Sequence, residues 1–169
     1  AGHGVWWSGA EEQLEKTSLA LKIPVFNVPY HQKVLSGDCE SYMGLADFHQ
    51  YHPSKNAIQE ADVVLMIGGR LDNQMNFGNP PFFPERVKLV CINGSHEELE
   101  YNRAADYILL ADPGAFLAAL EDVKMSWETW FNLQKERRAI WAQEWFDHAY
   151  DEAKKDDKGN KLEPIEEIT

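Results

Sequence analysis

Segment 61–72 constrains the fold of this chain most, because an uninterrupted apolar run ends there in two glycines. Val63–Ile67 reads Val-Val-Leu-Met-Ile and is followed by Gly68-Gly69-Arg70. A continuous apolar run of strand length is typical of a parallel strand with both faces covered. Open α/β sheets bind ligands at the carboxyl ends of such strands. The segment therefore predicts a buried parallel strand whose carboxyl end is a candidate ligand-binding edge.

The tripeptide Gly68-Gly69-Arg70 has two interpretations at this point. Two glycines permit the close approach of a ligand, and the planar guanidinium of Arg70 can bind a phosphate through paired hydrogen bonds. The same residues would also make a tight turn followed by a surface arginine. The tripeptide alone favours neither a phosphate site nor a turn.

The rest of the chain alternates helical and strand patterns, which is typical of a parallel sheet with crossover helices. We predict strands at 23–28, 62–67, 87–92 and 107–111. We predict helices at 8–21, 53–60, 113–123 and 126–153, and a short helix opening at Ser95. Ser8 and Glu11 are interpreted as a capping box for the first helix. Residues 68–84 show neither the helical nor the strand period of apolar residues. A loop of that length is usually functional or packed as a lid.

The opening Gly2-His3-Gly4-Val5 is typical of the first βα turn of a doubly wound sheet, where glycines allow a tight turn before a helix. A βα turn needs a strand before it, and only Ala1 precedes this one. We therefore expect the first strand to lie outside this chain. Standard NAD binding is not expected, since the next glycine is Gly9, which departs from the GxGxxG spacing.

A change of character near Met125 divides the chain into 1–124, an α/β domain, and 125–169, a helix and linker. The helix carries an aromatic stripe, which we interpret as a packing face whose counterpart can lie outside this chain: Trp127, Trp130, Phe131, Trp141, Trp145 and Phe146. Residues 156–160 are charged and end near a glycine, as in a linker. Leu162-Glu163-Pro164-Ile165 resembles the beginning of a further segment.

Composition excludes several classes of function. A net charge of −12 argues against nucleic acid and against an anionic membrane surface as partners. No apolar run approaches the roughly 18 residues that span a bilayer. Cys39 and Cys91 are interpreted as free thiols, which together with the lack of a signal-peptide pattern predicts a cytoplasmic protein.

The histidines do not predict a metal site. His49 and His52 lie three positions apart, which could place both on one helical face. No third ligand of convincing spacing accompanies them, so a loop followed by a helix start is preferred. We predict neither a catalytic residue nor a metal ligand in this chain.

Several segments resemble the central domain of thiamine-diphosphate-dependent enzymes. Leu21-Lys22-Ile23-Pro24-Val25 is similar to the family's "lxIPV" strand, and Ile67–Asp72 to the "iGaRfdd" signature of acetolactate synthase-like members. Gly44 and residues 57–65 resemble the family's "G…A…A…ADlvl" segment. Residues 90–93 and 110–113 resemble two later strand ends. The resemblance covers residues 1–124 in the family's order and spacing.

The resemblance implies a Rossmann-like domain, an α/β doubly wound parallel sheet of six strands with a long C-terminal helix. Such a domain lies between pyrimidine-binding and diphosphate-binding domains, which bind thiamine diphosphate and Mg²⁺ across a dimer interface. The parent would then be a homodimer or homotetramer. It would act on 2-oxo acids or diketones as a decarboxylase, carboligase or C–C hydrolase, with no turnover by this chain alone.

The resemblance also implies a nucleotide site for FAD or ADP in some members. The positions that match its contacts are Gly2, Gly4, Gly68, Gly69, Arg70, Asn93 and Asp112. Asn93 stands where the family usually has an acidic residue, which weakens the FAD ribose contact and leaves ADP-type ligands open.

Two alternatives belong to other classes. One is a self-standing FAD- or NADP-binding module of electron-transfer flavoprotein or transhydrogenase type. The other is an interaction domain without a ligand. Flavin absorbance in the purified chain would favour the module or the FAD-bearing form of the first interpretation, and an empty crevice at the strand ends would favour the interaction domain.

Overall fold

The computed structural model describes residues 1–29, 33–49, 52–99 and 101–153. Its strands are β1 Val25–Asn27, β2 Tyr42–Leu45, β3 Val63–Ile67, β4 Lys88–Asn93 and β5 Tyr107–Leu110. Its helices are α1 His3–Trp7, α2 Glu11–Leu21, α3 His52–Glu60, α4 His96–Leu99, α5 Pro113–Ala119 and α6 Glu128–Ala153. The predicted α/β class with a long C-terminal helix is confirmed.

The strands form two parallel sheets. β1 pairs with β2, and the second sheet has the order β3-β4-β5. Val63 lies opposite Lys88 and Ile67 opposite Ile92, so β3 and β4 run in register over the whole of β3. β5 continues the parallel pattern, with Val90 opposite Tyr107. Parallel neighbours require crossover connections. The β3–β4 connection contains a 3-10 segment, Asn73–Gly78, and the β4–β5 connection contains α4.

The first two residues lie between these sheets. The Ala1 amino group donates to the Phe26 carbonyl at 2.7 Å. The Val28 amide donates to the Ala1 carbonyl at 2.9 Å, and the Gly2 amide donates to the Ile67 carbonyl at 2.9 Å. Ala1 and Gly2 therefore connect β1 on one side with β3 on the other.

Two apolar clusters cover the two faces of β3 and β4, while every residue of β5 is exposed. Met66 and Leu89 belong to one cluster, together with Phe82 and Phe83. Ile67 and Ile92 belong to the other, which also contains residues of α1, α2 and α5. Successive residues of β3 enter different clusters because side chains alternate across a strand. This is the doubly wound arrangement that the sequence predicts.

The predicted helix over 8–21 is wrong at its start. The structure has α1 at His3–Trp7 and begins α2 at Glu11, and Gly9 between them has a left-handed φ of +61°. The Ser8 hydroxyl donates to the Gly4 carbonyl at 2.6 Å instead of capping α2. The capping box is therefore wrong, because Ser8 is the C-cap of α1 and Ala10 is the N-cap of α2.

Two further features were not predicted. The strand β2 lies in a stretch that we left unassigned, and it pairs with β1. Within residues 68–84, Asn73–Gly78 forms a 3-10 segment whose first turn is capped by the Asp72 side chain, which accepts from the Gln74 amide at 3.0 Å. This stretch is thus partly ordered by its own short-range hydrogen bonds.

Helix α6 begins at Glu128, two residues later than predicted. Its first half packs on the α/β body through Phe131, which is 1% exposed. Farther along, Trp145 and Phe146 are 61% and 64% exposed. The aromatic stripe is therefore a packing face only at its beginning. The predicted linker at 156–160 and the segment 162–165 lie outside the described residues.

Within the described part of the chain, no helix is long and apolar enough to cross a membrane. Cys39 and Cys91 are both buried free thiols. Burial raises the pKa of the Cys91 thiol to about 11, which keeps it protonated at neutral pH. The cytoplasmic location stays a prediction.

Candidate functional site

Four of the predicted site residues meet at the carboxyl end of β3. The Gly4 amide donates to the Gly68 carbonyl at 2.8 Å, and the Gly68 amide donates to the Ile92 carbonyl at 2.8 Å. The turn before α1 therefore lies directly against the turn after β3. Gly2, Gly4, Gly68 and Gly69 form a crossing of two backbone segments.

Glycine is required at this crossing because backbone meets backbone. A Cβ added to Gly2 would lie 2.5 Å from the Gly69 Cα. A Cβ added to Gly68 would lie 2.7 Å from the Gly4 Cα, and Gly68 has in addition a φ of +58°. Real Cβ atoms do not approach other atoms this closely. The glycines thus permit the chain to pack on itself at the place where a ligand was expected.

Arg70 follows the crossing and forms an ion pair with Glu98 of α4. Its Nε donates to Glu98 Oε2 at 2.6 Å, and a terminal nitrogen contacts Glu98 Oε1. Its guanidinium carbon lies 4.9 Å from the centre of the Tyr101 ring. The hydrogen bonds and the charge of Glu98 raise the pKa of Arg70 above its usual value. Arg70 is therefore charged, and its charge is balanced within the chain.

Asn93 and Asp112 also have partners. The Asn93 amide nitrogen donates to the Gly69 carbonyl at 3.4 Å, and its side-chain oxygen accepts from the Ser95 amide at 3.2 Å. Asp112 caps α5, where its carboxylate accepts from the Ala115 amide at 3.0 Å. Asn93 thus joins the crossing through Gly69, while Asp112 lies at the start of the next helix along the sheet.

These residues do not accommodate a nucleotide phosphate in their present arrangement. The Gly2, Gly4 and Gly68 amides all donate to backbone carbonyls, and Arg70 is paired with Glu98. Helix α1 has five residues and its N-cap makes no side-chain hydrogen bond. Two surface depressions, of about 420 and 310 Å³, are lined by residues of other regions. A ligand at the strand ends would have to displace contacts that the chain already makes.

The remaining sequence candidates stay apart from this crossing. The His3 ring stacks on the Trp7 ring with centroids 5.6 Å apart, on the surface. His49 lies in a turn, and His52 is the first residue of α3, as the loop-and-helix interpretation expected. Over the described ranges, no group of three or more His, Cys, Asp or Glu residues is arranged to hold a metal.

Sequence reasoning missed Arg103, which organises the segment beyond the crossing. One of its terminal nitrogens donates to the carbonyls of Gly78, Phe83 and Pro84 at 3.3 to 3.4 Å. The other donates to the Val87 carbonyl at 2.8 Å. No local pattern marks this arginine, because its partners lie 16 to 25 residues earlier in the chain.

A family match decides what this strand-end arrangement belongs to. Residues 1–120 match the central domain of thiamine pyrophosphate enzymes, which is more than half of the chain. The chain belongs to this family. The family resemblance noted from the sequence is thereby confirmed, over a span that ends before α6.

Two curated relatives show the extent of the similarity. The 2-hydroxyacyl-CoA lyase 1 of Mus musculus is 31% identical over 111 residues, which cover 66% of this chain and 18% of that protein. A probable acetolactate synthase large subunit of Methanocaldococcus jannaschii is 29% identical over 112 residues, covering 66% of this chain and 19% of that protein. The chain therefore spans about a fifth of the length of these relatives.

Solved structures show the same fold. A putative thiamin diphosphate-dependent enzyme of Mycobacterium smegmatis superposes with a TM-score of 0.62 at 19% identity, covering 75% of this chain and 24% of that one. A 4-hydroxybenzoylformate decarboxylase of Rhodococcus jostii gives 0.59 at 16% identity, with coverages of 70% and 22%. Likeness at these identities shows the fold alone. The comparisons support the central-domain interpretation. They give no support to the self-standing FAD- or NADP-binding module.

Proposed function

We propose that this chain is the scaffolding central domain of a thiamine-diphosphate-dependent enzyme that makes or breaks carbon–carbon bonds in 2-oxo acids or diketones. The parent would be a decarboxylase, carboligase or C–C hydrolase. The observation that carries the proposal is the match of residues 1–120 to the family's central domain. The names of two relatives, a lyase of 2-hydroxyacyl-CoA and an acetolactate synthase, support chemistry of this type.

The role proposed for the chain is to hold other domains in place. Pyrimidine-binding and diphosphate-binding domains would bind thiamine diphosphate and Mg²⁺, in a homodimer or homotetramer. We propose 1–124 as the domain body and 125–169 as the connection to the diphosphate-binding domain. In support, the first half of α6 is fixed to the body by Arg137, whose guanidinium donates to Glu60 at 2.8 and 2.9 Å, while its second half exposes Trp145 and Phe146.

An activity assay tests the scaffold role. The purified 169-residue chain, supplied with thiamine diphosphate, Mg²⁺ and a panel of 2-oxo acids, is expected to release no CO₂. The parent protein with both flanking domains is expected to consume at least one member of the panel only when thiamine diphosphate is present. Thiamine-dependent turnover by the isolated chain would overturn the proposal.

We propose FAD or ADP as the ligand class of the strand-end site only in a state in which Arg70 has left Glu98. The residues that would contact such a ligand are Gly2, Gly4, Gly68, Gly69, Arg70, Asn93 and Asp112. Support comes from the position of the crossing at the carboxyl ends of parallel strands, where α/β sheets bind nucleotides. Arg70 would exchange one anionic partner for another.

The matched variants Glu98→Gln and Glu98→Gln with Arg70→Ala test this ligand class. ADP or FAD is titrated into the wild-type chain and both variants by calorimetry. The proposal expects Glu98→Gln to bind ADP more tightly than wild type, and the added Arg70→Ala to remove the gain. Equal affinities in the three chains would contradict a nucleotide site that uses Arg70, and the domain would then have only its scaffold role.

A further inference from the structure

Helix α6 packs on the domain body with little buried apolar surface. Of its side chains that the structure describes, only Phe131 and Gln134 are buried, each 1% exposed. Neither the nitrogen nor the oxygen of the Gln134 side-chain amide has a hydrogen-bond partner among the described residues. A buried amide without a partner costs free energy, whereas a buried apolar side chain stabilises. The centre of the contact therefore combines one stabilising side chain with one destabilising side chain.

Ion pairs surround this centre. Lys135 of α6 pairs with Glu40, and the ammonium of Lys22 lies 3.5 Å from the other Glu40 oxygen. The ammonium groups of Lys22 and Lys135 lie 5.1 and 5.9 Å from the centre of the Phe131 ring. The hydrogen bond and charge of Lys135, together with the charge of Lys22, hold the pKa of Glu40 below its usual value. Glu40 is therefore charged at neutral pH and joins α6 to the end of α2, where Lys22 is the C-cap.

Two arginines of α6 continue the polar contact. Arg137 donates through one terminal nitrogen to both carboxylate oxygens of Glu60, at 2.8 and 2.9 Å. Arg138 donates to the Gly37 carbonyl at 2.8 Å and to the Tyr42 carbonyl. The side chains of Arg137 and Glu60 are 24% and 48% exposed, so solvent ions reach their ion pair. Charged groups thus form most of the contact between α6 and the body.

The charges of the two parts are complementary. Residues 1–124 contain 17 acidic and nine basic side chains, so the body is negative at neutral pH. Residues 135–138 of α6 contain three basic side chains and one acidic side chain. Charges on a protein surface interact over about 10 Å at 0.1 M salt and over about 3 Å at 1 M. The attraction between α6 and the body therefore weakens as the salt concentration rises.

The connection ahead of α6 provides a place to bend. Residues 123–127 form neither helix nor strand, and the side chains at 124–127 are exposed. One backbone hydrogen bond ties this connection to the body, from the Trp127 amide to the Leu21 carbonyl at 3.0 Å. Segments with few buried apolar contacts open before the rest of a protein unfolds. Helix α6 meets this description, while β3 and β4 lie between the two apolar clusters.

We propose that α6 is a hinged arm: charged contacts around Phe131 dock it on the body, and it leaves the body at residues 123–127 while the body stays folded. The docked fraction falls as the ionic strength rises. This conformational change goes beyond the scaffold role, because a domain joined to α6 is fixed relative to the body when the arm is docked and can turn when the arm is released. It does not depend on the cofactor or the substrate of the parent.

Amide hydrogen exchange of the 169-residue chain at about 0.05 M and about 0.5 M NaCl tests the arm. Relative to intrinsic rates, the amides of 132–142 are expected to exchange more than about tenfold faster than those of β4 at low salt. At high salt they are expected to exchange faster again by about fivefold, with β4 unchanged. Equal rates in α6 and β4 would overturn the proposal, because α6 would then open only with the whole chain. Fast exchange that does not respond to salt would contradict docking through charges.

A matched pair of glutamines tests the weak centre of the contact. Gln134→Met replaces the buried amide without a partner by an apolar side chain of similar length and helix propensity. It is expected to slow exchange of 132–142 by about fivefold or more and to leave β4 unchanged. Gln143→Met is the control, since Gln143 is exposed on the same helix. Equal exchange in the two variants would overturn the assignment of α6 as a weakly docked arm.

A charge exchange tests the ion pair between α6 and α3. Arg137→Glu places a carboxylate against Glu60 and is expected to speed exchange of 132–142 by about fivefold or more at low salt. Glu60→Arg added to Arg137→Glu restores opposite charges and is expected to return the rates to within about twofold of the original chain. Exchange in the double variant as fast as in Arg137→Glu alone would contradict docking through this pair.

Discussion

At the scale of single residues, glycines serve two different needs in this chain. Gly9 has a left-handed φ of +61° with no atom within 4 Å of an added Cβ. Gly2 has no left-handed φ, but its added Cβ would lie 2.5 Å from the Gly69 Cα. One glycine is thus kept for its backbone conformation and the other for the close contact of two segments.

Alanine substitutions separate these two needs. Gly9→Ala is expected to lower the free energy of unfolding by about 1–2 kcal/mol, the cost of a left-handed alanine. Gly2→Ala is expected to cost about 3 kcal/mol or more, because rigid backbone has to move. Gly94→Ala is the control, since Gly94 has open space around it and no left-handed φ. Urea unfolding measures all three, and a Gly2→Ala chain as stable as the control would contradict the backbone crossing.

The N-terminal amine of the 169-residue chain gives a pH dependence with a defined sign. Burial lowers the pKa of the Ala1 amine from 8.0 to about 5. The folded chain therefore prefers the neutral amine, so stability is full above pH 8 and falls as the pH drops from 8 toward 5. The pKa difference corresponds to at most about 4 kcal/mol.

Acetylation of Ala1 is the matched control, because the acetylated nitrogen keeps its N–H donor and cannot be charged. Unfolding of the free and acetylated chains is compared at pH 5, 6.5 and 8. The acetylated chain is expected to be the more stable at pH 5, with the gap closing by pH 8. Histidine titration contributes equally to both chains and cancels in this comparison. A difference in the free energy of unfolding that does not depend on pH would refute burial of a neutral amine.

At the scale of elements, three of the four strands that the sequence predicted contain continuous apolar runs, and the fourth, β1, contains the polar Asn27. β3, β4 and β5 were predicted within two residues of their bounds because each contains an apolar run. Such a run is expected of a parallel strand covered on both faces, although every residue of β5 is exposed in the structure. β2 was missed, since Tyr42-Met43-Gly44-Leu45 is short and contains a glycine. α1 was taken for a turn because it follows glycines directly and has only five residues.

Only the glycines of the candidate site, where backbone meets backbone, could be predicted from the sequence. The glycines that meet at the crossing stand out as Gly2-x-Gly4 and Gly68-Gly69, and their glycine content itself signals a close approach. The partners of Arg70 did not stand out, because Glu98 lies 28 residues away and belongs to a four-residue helix. Long-range side-chain pairing leaves no periodic trace in a single sequence. The arginine was therefore assigned to a ligand rather than to Glu98.

Helix α6 offers a matched pair of phenylalanines. Phe131→Ala removes a side chain that is 1% exposed and is expected to lower the free energy of unfolding by about 3–4 kcal/mol. Phe146→Ala removes one that is 64% exposed and is expected to change it by less than about 0.5 kcal/mol. Thermal and urea unfolding give both values. A large effect of Phe146→Ala in the monomeric chain would mean that the second half of α6 is also packed.

Arg103 connects the 3-10 segment to β4. The guanidinium of Arg103 donates to four backbone carbonyls. In Arg103→Lys a single ammonium replaces this planar group, so about three of these carbonyls lose their donor. We expect faster limited proteolysis within 73–84 and a loss of about 1–3 kcal/mol. Arg86→Lys is the control, because the Arg86 guanidinium donates to the Gln59 and Ala61 carbonyls, which lie outside this segment. Equal cleavage rates in the two variants would show that Arg103 does not hold this segment.

At the scale of the whole molecule, the chain is a domain body with an attached helix. The body contains two sheets brought together by Ala1 and Gly2, and its two clusters of buried side chains lie on opposite faces. α6 starts on the body and ends with exposed aromatic side chains. This organisation suits a domain that positions others, which is the scaffold role proposed above.

Calorimetric titration of thiamine diphosphate with Mg²⁺ tests the scaffold role most directly. The scaffold role predicts no binding heat with the isolated 169-residue chain, and saturable binding of one cofactor per chain with the parent protein that carries both flanking domains. Saturable, stoichiometric binding of thiamine diphosphate by the isolated chain would contradict it, because the cofactor would then be held by residues of this domain.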